Sequence, residues 1–189
     1  MWKVSRSFMA AAVAAAGLVI VDTPVSAQPE LCDSVSGGGF VVTDQGAAAN
    51  FGAHGGCKNE AFWGHVNYVD HGFLETPYHV SSTEITGYLE IAPNVRDICG
   101  VAQTNADEDP VYFRVRLVGD GESEAVESFG IRLSNGYLVT VRPLGEGGPG
   151  GGFIQFHNPN ASNTAPDPAL DEATMCQGLS APVDGGGPD

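Results

Sequence analysis

The sequence predicts an all-β protein, an antiparallel sandwich or barrel of about eight to ten strands with a short C-terminal helix. Short stretches in which apolar or β-branched residues alternate with polar ones recur along the chain, separated by Gly, Asn, Asp and Pro. Helical periodicity is almost absent. Without the predicted leader at 1–27, about 160 of the 189 residues remain, which suits one domain with a real core. We expect a β domain over residues 28–158, between a signal peptide and a tail.

Residues 1–27 contain the three parts of a secretory signal peptide. Lys3 and Arg6 supply positive charge, and the apolar run at 8–21 is shorter than the roughly 20 residues that a membrane-spanning helix needs. Small residues at 25–27 predict cleavage before Gln28. We therefore expect a secreted protein, either extracellular or periplasmic.

The chain is strongly acidic, with a formal net charge of −15. Removal of residues 1–27 takes away two basic residues and one acidic residue, so the charge of the mature chain becomes −16. Such a surface repels phosphate groups, which argues against nucleic acid and anionic membranes as partners. The expected partner is an extracellular ligand, either a protein or a glycan.

The first part of the domain contains six predicted strands. They run over residues 40–43, 50–54, 62–69, 78–81, 83–91 and 98–103. In the stretch 83–91, one face carries Ile85, Leu89 and Ile91. The other face carries Glu84, Thr86, Tyr88 and Glu90. This alternation predicts a half-buried strand with the aliphatic face toward the core.

The later strands show the clearest alternation. Residues 111–118 and 128–134 place apolar side chains at every second position. The inward residues are Val111, Phe113, Val115 and Leu117 in the first strand and Phe129, Ile131 and Leu133 in the second. Asn135-Gly136 precedes a further strand at 137–142 and predicts a tight hairpin with positive φ at both central residues. A last strand is expected at 153–157.

Residues 159–189 form a tail rich in Pro, Gly and Asn, a composition that cannot fold alone. A short helix is expected near 167–177. Asp167 is its predicted cap, Pro168 its first residue, and Gly178 follows its end. Met175 and Cys176 would dock this helix on the domain.

Four cysteines, Cys32, Cys57, Cys99 and Cys176, follow the leader, and an even count in an exported chain predicts two disulfides. Three pairings are possible. We favour Cys57 with Cys99 inside the domain and Cys32 with Cys176 tying its ends, although spacing alone does not determine connectivity.

Several ordered fragments between Gly37 and His157 resemble the bacterial post-COAP domain family. They are GGGF at 37–40, ANFG at 49–52, GHVNYVDHG at 64–72, HVSSTEIT at 79–86, FRVRLVGDGE at 113–122, FGIRLSNG at 129–136 and GGGFIQFH at 150–157. The resemblance implies a secreted β module of poorly defined activity, without established catalytic residues. The four cysteines and the lack of a large partner domain depart from the family pattern.

Two acidic stretches suggest a cation. Asp120, Glu122 and Glu127 surround a Gly-containing turn and offer the oxygen ligands that Ca²⁺ prefers, so calcium is the one candidate cofactor. A solvated hairpin explains the same residues. The run Asp107-Glu108-Asp109 places three adjacent carboxylates, but most such runs are solvated loops.

The aromatic residues Trp63, Tyr68 and Tyr88 are candidates for stacking on a sugar at a binding face, with core packing as the alternative. A hydrolase acting on an extracellular polymer would add a carboxylate pair from Asp70, Glu84 and Glu90. The sequence has no GxSxG motif and leaves no cysteine unpaired once two disulfides form, so no catalytic residue is predicted. The favoured function is a secreted, non-enzymatic binding or structural module, and the polymer hydrolase is its rival.

Overall fold

The structure is a computed structural model that describes residues 30–73, 75–119, 126–147 and 151–183. The predicted signal peptide, Asp120 and Glu122 lie outside these ranges. The strands are β1 (Ser34–Val42), β2 (Ala48–Lys58), β3 (Ala61–Asp70), β4 (Tyr78–Ala92), β5 (Val95–Thr104), β6 (Val111–Val118), β7 (Ser128–Leu133), β8 (Leu138–Pro143) and β9 (Gly152–His157). The helical elements are a 3₁₀ turn at Leu144–Gly147 and α1 at Glu172–Met175.

The strands form one antiparallel sheet in the order β8-β7-β6-β5-β4-β3-β2-β1-β9. Strands β1 to β8 make a meander in which each strand pairs with the next, and β9 returns to pair with β1. The sheet curls into a half-barrel, and the 3₁₀ turn that leads from β8 toward β9 packs on β1. The predicted all-β, antiparallel class is confirmed, with nine strands in the described residues.

The core fills the inner face of the curl. The residues predicted to face inward from β6 and β7 are all buried there. Phe51 from β2 stacks on Phe129 from β7, with ring centroids 4.0 Å apart, which joins the two sides of the curl. The alternation of these strands therefore located the core correctly, because only one of their faces is lined by large apolar side chains.

Strand β4 differs from its prediction because it is irregular. It joins two predicted strands into one of 15 residues, and its pairing with β5 shifts register at three points. Each extra residue moves the following side chains to the opposite face. Tyr88, expected opposite the aliphatic face, is therefore buried in the core, whereas Ile91 is 40% exposed. Leu89 packs on a separate cluster around Cys99.

The hairpin at Asn135-Gly136 is confirmed, but its turn type is not the predicted one. Gly136 has φ of 93°, Asn135 keeps a negative φ, and the Leu133 N–H donates to the Tyr137 carbonyl. This is the three-residue loop in which a type I turn precedes a left-handed glycine. The two-residue turn with two positive φ values lies instead between β2 and β3, at Asn59 (51°) and Glu60 (62°).

The disulfides join Cys32 to Cys57 and Cys99 to Cys176, so the favoured pairing was wrong. Cys57 belongs to the core inside the curl, whereas Cys99 belongs to the cluster formed with Met175 on the other face of the sheet. Cysteines on opposite faces of one sheet cannot approach closely enough to bond. The two disulfides therefore lie on different faces of the sheet.

The C-terminal segment covers the outer face of β4, β5 and β6. Met175 and Cys176 dock as predicted, and the Thr86 hydroxyl donates to the Met175 carbonyl at 2.6 Å. The helix begins later than predicted, because Asp171, not Asp167, is its cap and accepts from the Thr174 N–H at 2.7 Å. Although α1 is a single turn, it covers part of strand β6 and shields a side chain there from solvent.

Arg114 on β6 shows this effect most clearly. It alternates with core residues, so the pattern of the strand places it on the solvent face, yet it is only 2% exposed. Its guanidinium contacts Asp97 Oδ2 at 2.6 Å, Glu172 Oε1 at 2.6 Å and the Leu179 carbonyl at 2.9 Å. On the outer face, Arg114, Asp97 and Glu172 therefore form a charged layer between the sheet and the C-terminal segment.

The rest of the tail also lies on the domain. Asn163 is buried, its Nδ2 donates to the Cys57 carbonyl at 3.0 Å, and its carbonyl accepts from the Cys32 N–H at 2.9 Å. Composition predicted a segment that cannot fold alone, and the sheet supplies its hydrogen-bond partners. Within the described ranges, no helix is long and apolar enough to cross a membrane.

Candidate ligand-binding site

Three connections of the meander meet at one end of the half-barrel, because alternate turns of antiparallel strands lie at the same end. They are the β3–β4, β5–β6 and β7–β8 connections. Between them lies a cavity of about 210 Å³. Its lining residues are Phe73, Tyr78, Ala106, Asp107, Asn135 and Tyr137. We call this cavity the aromatic pocket.

Three aromatic rings dominate the pocket. The ring centroid of Tyr78 lies 4.6 Å from that of Phe73 and 4.9 Å from that of Tyr137, and Phe73 and Tyr137 are 5.8 Å apart. These are the separations of directly packed aromatic pairs. Tyr78 is held by β4, Tyr137 by the β7–β8 turn and Phe73 by the β3–β4 loop, so the rings join two of the three connections.

Asp107 is the charged group of the pocket. Its Oδ2 accepts from Thr104 Oγ1 at 2.7 Å, Asn135 Nδ2 at 2.8 Å and Tyr78 Oη at 2.9 Å. The hydrogen bond from Thr104, followed by those from Tyr78 and Asn135, holds the pKa of Asp107 below its ordinary value. Asp107 is therefore a carboxylate at neutral pH, and its Oδ1 accepts no hydrogen bond from the described residues.

A buried relay beneath the pocket fixes Tyr137. Its hydroxyl donates to Asp70 Oδ2 at 2.7 Å and accepts from the Tyr68 hydroxyl at 2.7 Å, while Asp70 Oδ1 accepts from the Gly72 N–H at 2.8 Å. Burial raises the pKa of both tyrosines above the ordinary value. Both hydroxyls therefore keep their protons at neutral pH. The relay orients the Tyr137 side chain, and the two tyrosines stay uncharged.

The predicted aromatic face does not exist as one surface. Tyr68 is fully buried, and Tyr88 is buried with its hydroxyl donating to Asp33 Oδ1 at 2.6 Å. Trp63 alone is partly accessible, at 37% exposure, on the outer face. Tyr68 and Tyr88 were therefore wrongly assigned to ligand stacking, because strand pairing and the irregular β4 turn them into the core.

The carboxylates of the hydrolase alternative are also separated. Asp70 pairs with Tyr78 at the start of β4, whereas Glu90 lies near the end of that strand. Twelve positions of extended chain span on the order of 40 Å, far beyond the spacing of a glycosidase pair. Glu84 and Glu90 are exposed, and Asp70 serves the tyrosine relay.

Of the three proposed calcium ligands, the structure describes Glu127 alone. Its Oε1 accepts from the Ile154 N–H at 2.6 Å, so it joins the start of β7 to the edge strand β9. In the described residues, no cluster of three or more His, Cys, Asp or Glu side chains could hold a metal ion. Asp120 and Glu122 are outside that part of the chain.

The histidines are partly organised by strand register. His54 on β2 pairs directly with His65 on β3, and their ring centroids are 6.4 Å apart on the outer face. Burial, and then the charge of His65, lower the pKa of His54. His71 bonds Asn50 at 2.8 Å and His157 bonds Ser36 at 2.8 Å, so neither joins that pair.

A second cavity, of about 190 Å³, lies beside the Cys32–Cys57 disulfide, and its lining includes Asp33 and Met175. Both oxygens of Asp33 are already engaged, by the Tyr88 hydroxyl and by the Arg96 guanidinium. Its charge is thus neutralised within the protein. The aromatic pocket differs because Asp107, unlike Asp33, forms no ion pair with a described residue.

Comparison with known proteins found no matching family model, no matching curated protein and no matching solved structure. The resemblance to the post-COAP family stays a prediction from the fragments in the sequence. The aromatic pocket was not predicted, because loops bring Phe73, Asp107 and Tyr137 together from distant positions. The signal for it in the sequence is the acidic run at 107–109, a pattern that favours a solvated loop.

Proposed function

We propose that this protein is an exported, non-enzymatic binding module whose ligand occupies the aromatic pocket. The observation that carries the proposal is the combination of three packed rings with a carboxylate that leaves one oxygen free. Such pockets, mostly apolar with a few placed polar groups, are the usual form of small-ligand sites. Two disulfides support an oxidising environment, and the leader-like N-terminus supports export.

The hydrogen bonds around the pocket support binding, because they hold its polar groups in place before a ligand arrives. Asn135 Nδ2 contacts both Tyr78 Oη and Asp107 Oδ2 at 2.8 Å, and the relay fixes Tyr137. A site ordered in advance loses less entropy on binding. The resemblance to the post-COAP family supports the same class of function.

The protonation states favour binding over acid–base catalysis. A general acid or base works best when its pKa lies near the operating pH. The pKa of Asp107 is lowered, and those of Tyr78 and Tyr137 are raised by burial, so each group keeps one protonation state at neutral pH. The pocket thus has fixed donors and a fixed negative charge.

The test is a binding screen on the mature chain, monitored by amide NMR, with small saccharides, amines and alcohols. We expect ligands that perturb amides at 104–107 and 135–137. Phe73→Ala should abolish this response, because it removes one ring of the pocket, whereas Trp63→Ala removes an exposed outer-face ring and should not. Ligand binding that Trp63→Ala destroys and Phe73→Ala leaves intact would move the site to the outer face.

We also propose that calcium stabilises the loop between β6 and β7 through Asp120, Glu122 and Glu127. The support is the acidic composition of residues 120–127, since carboxylate oxygens are the ligands that Ca²⁺ prefers. Because a ligand of the native state raises its stability, millimolar Ca²⁺ should raise the unfolding midpoint relative to chelator. An identical midpoint in both solutions would remove calcium from the proposal.

A further inference from the structure

Two of the buried or half-buried carboxylates, Asp97 and Asp33, are paired with arginines. Asp97 is buried between Arg114 and Arg116, at 2.6 and 2.7 Å. Asp33 is paired with Arg96 at 2.6 Å. Each of these carboxylates is neutralised by a guanidinium from the same chain. Asp107 is ionised and lines a cavity, yet neither Lys nor Arg is among the described residues that line it.

The existing partners of Asp107 occupy only one of its oxygens. Three donors converge on Oδ2, which fixes the orientation of the carboxylate and leaves Oδ1 without a donor among the described residues. A carboxylate oxygen is a strong acceptor that a donor or a cation stabilises. An anionic ligand would be repelled here, and a cationic donor gains more from this oxygen than a neutral donor does.

The rings attract the same kind of ligand. The face of an aromatic ring carries partial negative charge, so the half-buried rings of Phe73 and Tyr137 add to the attraction that Asp107 exerts on a cation. Tyr78 is only 2% exposed and packs against both of these rings. Metal ions bind preferentially to several oxygens, whereas an ammonium group with carbon substituents also gains from contact with aromatic rings. The pocket therefore suits an organic cation better than a bare ion.

The size of the pocket and the overall charge are consistent with this class of ligand. At about 210 Å³ the cavity is smaller than the roughly 300–1,000 Å³ of sites for drug-sized ligands, so it fits a small head group. The net charge of −15 raises the local concentration of cations around the molecule.

We infer that the ligand of the aromatic pocket carries an organic ammonium group, held between Oδ1 of Asp107 and the rings of Phe73 and Tyr137. This inference rests on the proposed function, since it names the chemistry of the ligand for the same site. The ammonium nitrogen is either protonated or fully alkylated, because both forms carry the charge that the site selects.

The test compares choline with its neutral isostere, in which a quaternary carbon replaces the nitrogen, on the unmodified mature chain. Choline should shift amides at 104–107 and 135–137, and the isostere should bind at least about tenfold more weakly, which corresponds to roughly 1.4 kcal/mol. Butylamine, measured in parallel, distinguishes a protonated head group from an alkylated one. Binding of either cation supports the inference.

A pair of charge-matched variants locates the interaction. Asp107→Asn should weaken choline binding at least about tenfold. Asp109→Asn removes the same charge from an exposed position in the same loop and should leave choline affinity within about twofold. If Asp107→Asn does not fold, the comparison of choline with its isostere on the unmodified chain still decides the question.

The outcomes separate the two proposals. Equal affinity for choline and its isostere, or no effect of Asp107→Asn on choline binding by a folded variant, would overturn the inference. Neutral saccharides that bind in the pocket when both cations fail would overturn the inference and leave the proposed function standing. No response at 104–107 and 135–137 to any probe would overturn both.

Discussion

At the scale of single residues, buried charge is the feature that most shapes this protein. Asp97 is fully buried on β5, and Arg114 and Arg116 reach it from β6. A buried carboxylate without a partner is costly, so these arginines are tied to the stability of the outer layer. The sequence showed Arg114 at a polar position of a strand, but the segment that covers it begins more than 50 residues later.

Arg114→Met should destabilise the protein by about 3 kcal/mol, because Asp97 loses one guanidinium while remaining buried. The matched control is Arg132→Met, which removes the cross-strand neighbour of Arg114 on β7. Arg132 makes no ion pair within the described ranges. Its replacement by Met should therefore lower the free energy of unfolding by less than about 1 kcal/mol. Urea unfolding of the three proteins measures both values, and equal losses would argue against a special role for the pair with Asp97.

The acid sensitivity of the pocket end should depend on Asp107. Its folded-state pKa is lowered, chiefly by Thr104, so it contributes stability above the unfolded-state pKa and loses that contribution as the pH falls through the folded-state pKa. Asp107→Asn should therefore flatten the decline of the unfolding free energy below about pH 4, whereas Asp109→Asn should not. Urea midpoints across this pH range measure the slopes. If the unfolding free energies of both variants fall equally steeply with pH, the acid sensitivity does not come from Asp107.

At the scale of elements, regular strands could be predicted and irregular ones could not. Strands β6 and β7 alternate strictly, and their buried faces agree with the sequence. Strand β4 does not, because its three register shifts arise from pairing with β5, and the alternation of its own residues carries no trace of them. The pocket lay beyond prediction for a related reason: Phe73, Asp107 and Tyr137 are brought together by the curl of the whole sheet.

The contact between β4 and the C-terminal segment depends on Gly87. A methyl group at this position would lie 2.4 Å from Cβ of Met175. Gly87→Ala should therefore push α1 away from the sheet and cost about 1–3 kcal/mol. Gly52→Ala, also in a strand, meets nothing within 4 Å and should be neutral or slightly stabilising. Urea unfolding distinguishes them, and a neutral Gly87→Ala would show that the segment is not closely packed there.

At the scale of the whole molecule, the two disulfides constrain different lengths of chain. Cys32–Cys57 spans 25 residues and fixes the chain just before β1 to β2. Cys99–Cys176 spans 77 residues and fixes the C-terminal segment to β5. In the chain-entropy description, the stabilisation by a disulfide grows with the length of chain that it encloses. The longer bridge should therefore be the more stabilising one.

Replacing Cys99 and Cys176 together by Ala should cost about 4.5 kcal/mol, and replacing Cys32 and Cys57 should cost about 3.5 kcal/mol. Urea unfolding of the two double variants measures the difference of about 1 kcal/mol. Peptide mapping without reductant verifies which bridge remains in each variant. A larger loss from removal of the shorter bridge would show that native contacts, and not chain length, set the order.

The hydrogen bonds at the two sides of the curl also bear on self-association. An open sheet offers backbone groups to which a strand of another molecule can add. Here the Ile154 N–H of β9 donates to Glu127, and the Val141 N–H of β8 donates to the Pro182 carbonyl at 2.8 Å. Each outermost strand thus has one of its amides engaged by the protein itself. Glu127 and the C-terminal segment therefore reduce the number of free amides to which a strand of another molecule could bind, which disfavours the edge-to-edge pairing that begins aggregation.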